Sequence, residues 1–144
     1  MAKYITGALC SRVIIDKTTN MVSIIDLIRG GAVTKFPFET PEIMIYGEWE
    51  ASNAAEKTFQ MRHILRSPSG KEILNQETKQ SIKSGLARTI AGIDGFIADE
   101  PGRYTITTFL KQGGKWVSVA EYPLTLWPRK EASSEEDSKK QHSK

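Results

Sequence analysis

Apolar and polar side chains alternate with a period of two along most of this chain, and that feature restricts it to β-structure. Ile43, Ile45, Gly47, Trp49 and Ala51 alternate with Glu42, Met44, Tyr46, Glu48 and Glu50, which reads as a strand with one acidic face. Phe59, Met61, His63 and Leu65 alternate with Gln60, Arg62, Ile64 and Arg66. Tyr104, Ile106, Thr108 and Leu110 alternate with Arg103, Thr105, Thr107, Phe109 and Lys111. No window of eleven or more residues carries a helical stripe as well. Turn chemistry punctuates the pattern at Lys17-Thr18-Thr19-Asn20, Ser67-Pro68-Ser69-Gly70, Pro101-Gly102 and Gly113-Gly114. Short strands so spaced predict an antiparallel sandwich or barrel.

Two hairpins follow. Residues 9–16 and 21–28 flank a polar loop of four, and residues 104–111 and 116–120 flank Gln112-Gly113-Gly114-Lys115. A Gly-Gly turn sets Lys111 opposite Trp116 and Leu110 opposite Val117. After Val119 the apolar parity passes from odd to even (Tyr122, Leu124, Leu126), which calls for a β-bulge near Ala120-Glu121. Pro123 then belongs on an edge strand or at a bulge. Residues 80–97 read either as strands or as one short helix broken by glycines. Beyond Pro128 the large apolar residues stop, and from Arg129 five basic residues face four acidic ones. Such a segment buries too little to offset its ordering entropy. The expected organisation is one domain over 1–127 and a disordered tail over 128–144.

Several functions lose their chemical basis on inspection. The single cysteine, Cys10, excludes an internal disulfide and a zinc site on paired cysteines. Leu9 stands where a lipoprotein signal needs a small residue beside the cysteine, and the opening lacks a signal-peptide apolar run. No stretch approaches the ~20 apolar residues of a membrane helix, so the chain reads as cytoplasmic, with no membrane partner. Ser69-Gly70-Lys71 and Gly113-Gly114-Lys115 lack the rest of a phosphate loop and read as turns. Net charge is only +3, and Arg62, Arg66, Lys79, Lys83 and Arg88 are not interleaved with exposed aromatics, so nucleic acid is not an expected partner. His63 shares its parity with Phe59, Met61 and Leu65 and reads as a buried, hydrogen-bonded core residue. Glu48 and Glu50 share one strand face at about 7 Å, a spacing an acid–base pair can use, but equally a plain solvent face. Asp94, Asp99 and Glu100, with Asp16 or Asp26, could supply oxygens to calcium, but Asp99-Glu100-Pro101-Gly102 is also ordinary turn composition.

The segment around Cys10, Asp16, Ser23, Phe36-Pro37 and Trp49 resembles the opening of a bacterial family of small uncharacterised β-sandwich proteins. Pro101, Gly102 and Tyr104 are similar to the turn before the penultimate hairpin of immunoglobulin-like sandwiches. The resemblance covers residues 8–50 and, more loosely, 98–127. It departs at Leu27 and Ile28, where an aromatic is usual. It implies an all-β chain, an antiparallel β-sandwich that is immunoglobulin-like or related, and it brings no catalytic residue.

The function expected is therefore a non-catalytic protein-binding or assembly module that takes a protein partner or associates with itself and uses no cofactor or metal. The alternatives are a small hydrolase or lyase using Glu48, Glu50 and His63, or a calcium-dependent sandwich. The expected contact face carries Phe109, Lys111, Trp116 and Ser118, pointing away from Leu110 and Val117, with Trp127 on the outward parity of the last strand. Large aromatics there suit an interface. The competing expectation is that the N-terminal strand or the 80–97 region covers these rings as a second small core.

Overall fold

The computed structural model describes residues 2–51, 58–81 and 85–129. They form β1 (Ala2–Ile15), β2 (Val22–Leu27), β3 (Gly30–Val33), β4 (Phe38–Glu39), β5 (Ile43–Ala51), β6 (Thr58–Arg66), β7 (Glu72–Ser81), β8 (Gly85–Ile93), β9 (Ile97–Ala98), β10 (Gly102–Gln112) and β11 (Lys115–Pro128), with no helix among the described residues. The strands make a four-stranded sheet in the order β2-β1-β5-β8, a five-stranded sheet in the order β3-β11-β10-β6-β7, and a small β4-β9 pair.

The alternation explains how the layers close. Leu9, Ile43, Ile45, Ala91 and Ile93 from the first sheet meet Leu65, Tyr104, Ile106, Tyr122, Leu124 and Leu126 from the second in one buried cluster. A second cluster surrounds Trp49 with Ala2, Phe59, Met61 and Leu110. Tyr4 meets Trp49 edge-on at 5.3 Å between ring centroids, and the indole Nε1 donates to Thr89 Oγ1 at 2.9 Å. A buried indole needs such an acceptor for its N–H. The hydroxyls of Tyr4 and Tyr122 lie 2.9 Å apart and tie the two sheets together.

Both expected hairpins form. Cys10 pairs with Leu27 and Ile15 with Val22. In the other, Lys111 stands opposite Trp116 and Leu110 opposite Val117, around Gly113 and Gly114 at φ 57° and 78°. Positive φ at both central residues is what a tight hairpin turn needs. Asp16 shapes the first turn by accepting from the amides of Thr19 and Thr18, which hold its carboxyl below the usual value.

The expected bulge of the last strand forms beside Ala120, its extra residue being Val119, since Thr108 pairs with Ala120 and Phe109 with Ser118. Of the two readings of residues 80–97 the strand reading holds where described: β8 pairs with β5 along its whole length, because tertiary pairing outweighs the local effect of glycines. Other expectations are corrected. Not every pairing is antiparallel, for β3 runs parallel to β11 from Thr125–Gly30 to Pro128–Val33. No hairpin links those two strands, so turn geometry does not dictate their direction. Pro123 lies just before that pairing begins, and Thr125 donates its amide to Arg29 O on the β3 side. Amide directions alternate, so the N–H that Pro123 lacks would also have pointed to this locally open edge. Order extends past residue 127: Pro128 ends β11 and the Arg129 amide donates to Val33 O at 2.7 Å. The rest of the expected disordered tail, 130–144, lies outside the described residues.

Tyr46 departs most sharply from its expected place on a solvated acidic face, being only 2% exposed. Its hydroxyl donates to Glu48 Oε1 at 2.6 Å, and burial together with that carboxylate pushes its pKa up to about 12. Beyond the Cys10–Met44 pair, β1 pairs with β2 alone among the described residues. At the turn of the ribbon they form, Asn20 Oδ1 accepts from Arg88 Nη1 at 3.0 Å, and Arg88 pairs with Glu48 beside Tyr46.

Candidate interaction surfaces

The register brings Phe109, Lys111 and Trp116 together on the outer face of the second sheet, with Ser118 beside Phe109. Arg62, opposite Phe109 on β6, lays its guanidinium 4.3 Å from the Trp116 ring centroid, and the Lys111 ammonium stands 5.6 Å away. Arg62 also forms an ion pair with Glu77 across β6 and β7. Trp116 is thus half-buried under two cations, a cation–π arrangement that reduces the ring area left for a partner. Neither the N-terminal strand nor β8 pairs onto this sheet. Trp127 does not join the group. It lies eleven positions further along β11, roughly 36 Å away at ~3.3 Å per residue, and is 49% exposed.

The candidate catalytic residues are kept apart. His63 is 1% exposed on the inner face of β6, where its Nδ1 lies 2.9 Å from Thr108 Oγ1. Its Nε2 meets no hydrogen-bonding partner among the described residues, and burial lowers the ring pKa to about 4. Glu48 and Glu50 sit on the outer side of the other sheet, Glu48 bonded to Tyr46. The first sheet therefore separates the carboxylates from the imidazole, and no acid–base–nucleophile set assembles from them. Cys10 is fully buried against Met44 O, and burial raises its thiol pKa.

The candidate calcium oxygens are dispersed as well. Asp16 is occupied by its own turn. Glu100 accepts from the Oγ and amide of Ser69 at 2.8 and 3.1 Å, which lowers its pKa. No group of three or more His, Cys, Asp or Glu residues converges to hold a metal ion among the described residues. No described helix is long and apolar enough to cross a membrane.

The residues missed by alternation are those of the β1–β2 ribbon. Ile14, Ile15, Ile24, Ile25 and Leu27 are 39% to 54% exposed, and Met21 at the turn is 69% exposed. Paired residues share a face, so Val13, Ile15, Val22 and Ile24 line one side and Ile14, Ile25 and Leu27 the other. A two-stranded ribbon has no second layer on both sides, which leaves aliphatics in water. The signal was present in Val13-Ile14-Ile15 and Ile24-Ile25-Asp26-Leu27, where apolar residues break alternation and fill both parities. Beneath the ribbon's base, Leu9, Leu27, Ile28 and Arg29 join Tyr122 and Pro123 around an apolar groove of about 420 Å³. Compared with known proteins, the chain matches no family model and no curated protein.

Proposed function

We propose that this chain is a non-catalytic protein-binding or assembly module, built as an immunoglobulin-like sandwich, whose contact element is the β1–β2 ribbon. The strand orders support the fold assignment. In immunoglobulin domains strands A, B and E share one sheet, while G, F and C, with C′ in variable domains, share the other. Here β1-β5-β8 follow the order A-B-E and β11-β10-β6-β7 follow G-F-C-C′. Tyr104, just after Pro101-Gly102, donates its hydroxyl to Glu100 O at 2.7 Å, a contact of the kind known as a tyrosine corner. The β2 strand is an addition to that order. Fold alone carries no function, and the reading rests on one observation: the added ribbon holds six exposed large apolar residues. Ile14, Ile25 and Leu27 share one side of it, and exposed apolar surface gathered in this way is characteristic of interaction sites. The lone thiol Cys10 supports assignment to a reducing compartment, the cytoplasm.

The experiment compares immobilised wild-type chain with the double variant Ile14→Ser, Ile25→Ser in extract of the native cells. Circular dichroism and urea unfolding establish that both are folded. A specific protein retained by the wild type and lost from the variant is the expected result. Equal retention by both, or retention of nothing by either, overturns the ribbon as the contact element. Retention that follows Phe109→Ser with Trp116→Ser instead moves the site to the face where Arg62 and Lys111 surround Trp116.

A further inference from the structure

The free edge of the ribbon allows the partner to be specified further, on the assumption that the ribbon is the contact element. We infer that the occupant is a second copy of this chain, joined by antiparallel pairing of β2 with β2. β2 ends the first sheet, so one side of Val22–Leu27 has no strand beside it among the described residues. The direction of its polar groups follows from the turn. Asp16 donates its amide to Met21 O at 2.9 Å, so Met21 turns its polar backbone toward β1. Backbone direction alternates along a strand, so Ser23 and Ile25 turn the same way, while Val22 and Ile24 carry their N–H and C=O groups outward. Those groups suit an extended strand and nothing else as well.

Self-complementarity selects the strand. A two-fold axis perpendicular to the ribbon at Ser23 sets Val22 of each copy opposite Ile24 of the other, and the four outward groups of each copy are satisfied reciprocally. Ser23 faces itself, a small residue where the copies are closest, and Met21 faces Ile25 of the second copy. Asp26, in the left-handed region at φ 53°, falls outside the paired stretch and stays in water. Natural sheets protect their edges with lysine, proline or inward-facing charge. Val22-Ser23-Ile24-Ile25 has none of these. Exposed aliphatic side chains flank the seam on both faces, Ile15 and Ile24 on one and Ile14, Ile25 and Leu27 on the other, so the two copies bring apolar neighbours together across the new pairing. The product is a four-stranded sheet, β1-β2-β2-β1, which gives each ribbon the extra strands that an isolated pair lacks.

Sedimentation velocity on the full chain over a wide concentration range tests this directly. A dimer fraction that rises with concentration is expected, with amide exchange slowing at Val22 and Ile24 in step with it. Val22→Pro removes an outward donor without touching the β1 ladder, and Ile24→Lys sets a charge at the edge. Either change should reduce dimerisation at least tenfold. A wild-type chain that stays monomeric at the highest concentration overturns the second-copy inference, as does a dimer whose Val22 and Ile24 amides gain no protection. A dimer that Val22→Pro leaves intact overturns it too. The ribbon as a contact element for another protein stands or falls separately, on retention by the Ile14→Ser, Ile25→Ser variant.

Discussion

Replacing His63 by asparagine isolates one buried titration and measures what it contributes to the pH dependence of stability. The imidazole lies on the inner face of β6 between Met61 and Leu65, opposite Thr108 on β10 and Gln76 on β7. Burial favours the neutral ring and lowers its pKa from 6.5 to about 4. The unfolded chain therefore binds a proton that the folded chain refuses across that interval. The His63 contribution to stability is complete above pH 6.5, falls as pH drops from 6.5 toward 4, and levels off below 4, where the folded state also takes up the proton. At about 1.36 kcal/mol per pH unit the full interval is worth roughly 3 kcal/mol, and about 2.5 kcal/mol of that is lost by about pH 4.5. Asparagine can keep a hydrogen bond to Thr108 Oγ1 and has no charge to gain. Urea unfolding of both proteins from about pH 7.5 to 4.5 should show the wild type losing about 2 to 3 kcal/mol more than His63→Asn. Carboxylates such as Asp16 and Glu100 titrate alike in both and cancel in the difference. Equal pH dependence in the two proteins, or an NMR titration of the His63 ring near 6.5, refutes the burial argument.

Three further outcomes follow from close contacts and backbone geometry. A Cβ at Gly7 would lie 2.5 Å from Tyr46 O, 2.6 Å from the Tyr122 hydroxyl and 2.7 Å from the Tyr4 hydroxyl. Gly7→Ala should therefore cost about 1–3 kcal/mol in urea unfolding, and an unchanged midpoint would contradict the packing. In the second hairpin, Gly113→Asn should stay within about 0.5 kcal/mol of wild type while Gly114→Val loses about 1–2 kcal/mol, because only small polar residues share glycine's tolerance of positive φ. Equal effects at the two positions would reject that turn geometry. Cys10, fully buried with a raised pKa, should react with a thiol reagent in the native protein far more slowly than in urea, and similar rates would place it at the surface.

Strand periodicity was legible because it is local: side chains on a pleated strand alternate whatever lies across from them. That is why Ile43, Ile45 and Trp49 emerge from the sequence as core, and why the Gly113-Gly114 turn determines the register of Lys111 against Trp116. The burial of His63 follows from the same parity. Contacts between elements far apart in sequence decided the rest. Tyr46 alternates with Ile45 like any outward residue, yet it is only 2% exposed, its hydroxyl bonded to Glu48, and Asn20, far away in the chain, reaches Arg88 on the same side of the sheet. Trp116 and Trp127 share an outward parity, but the length of β11 keeps them at opposite ends of the sheet. Glu48 and His63 invited a joint reading as acid and base, and a sheet stands between them. Parity tells which side of a strand a residue faces. Whether water or another layer lies on that side depends on strand order, and strand order is set by the whole chain's search for burial rather than by any short stretch of it.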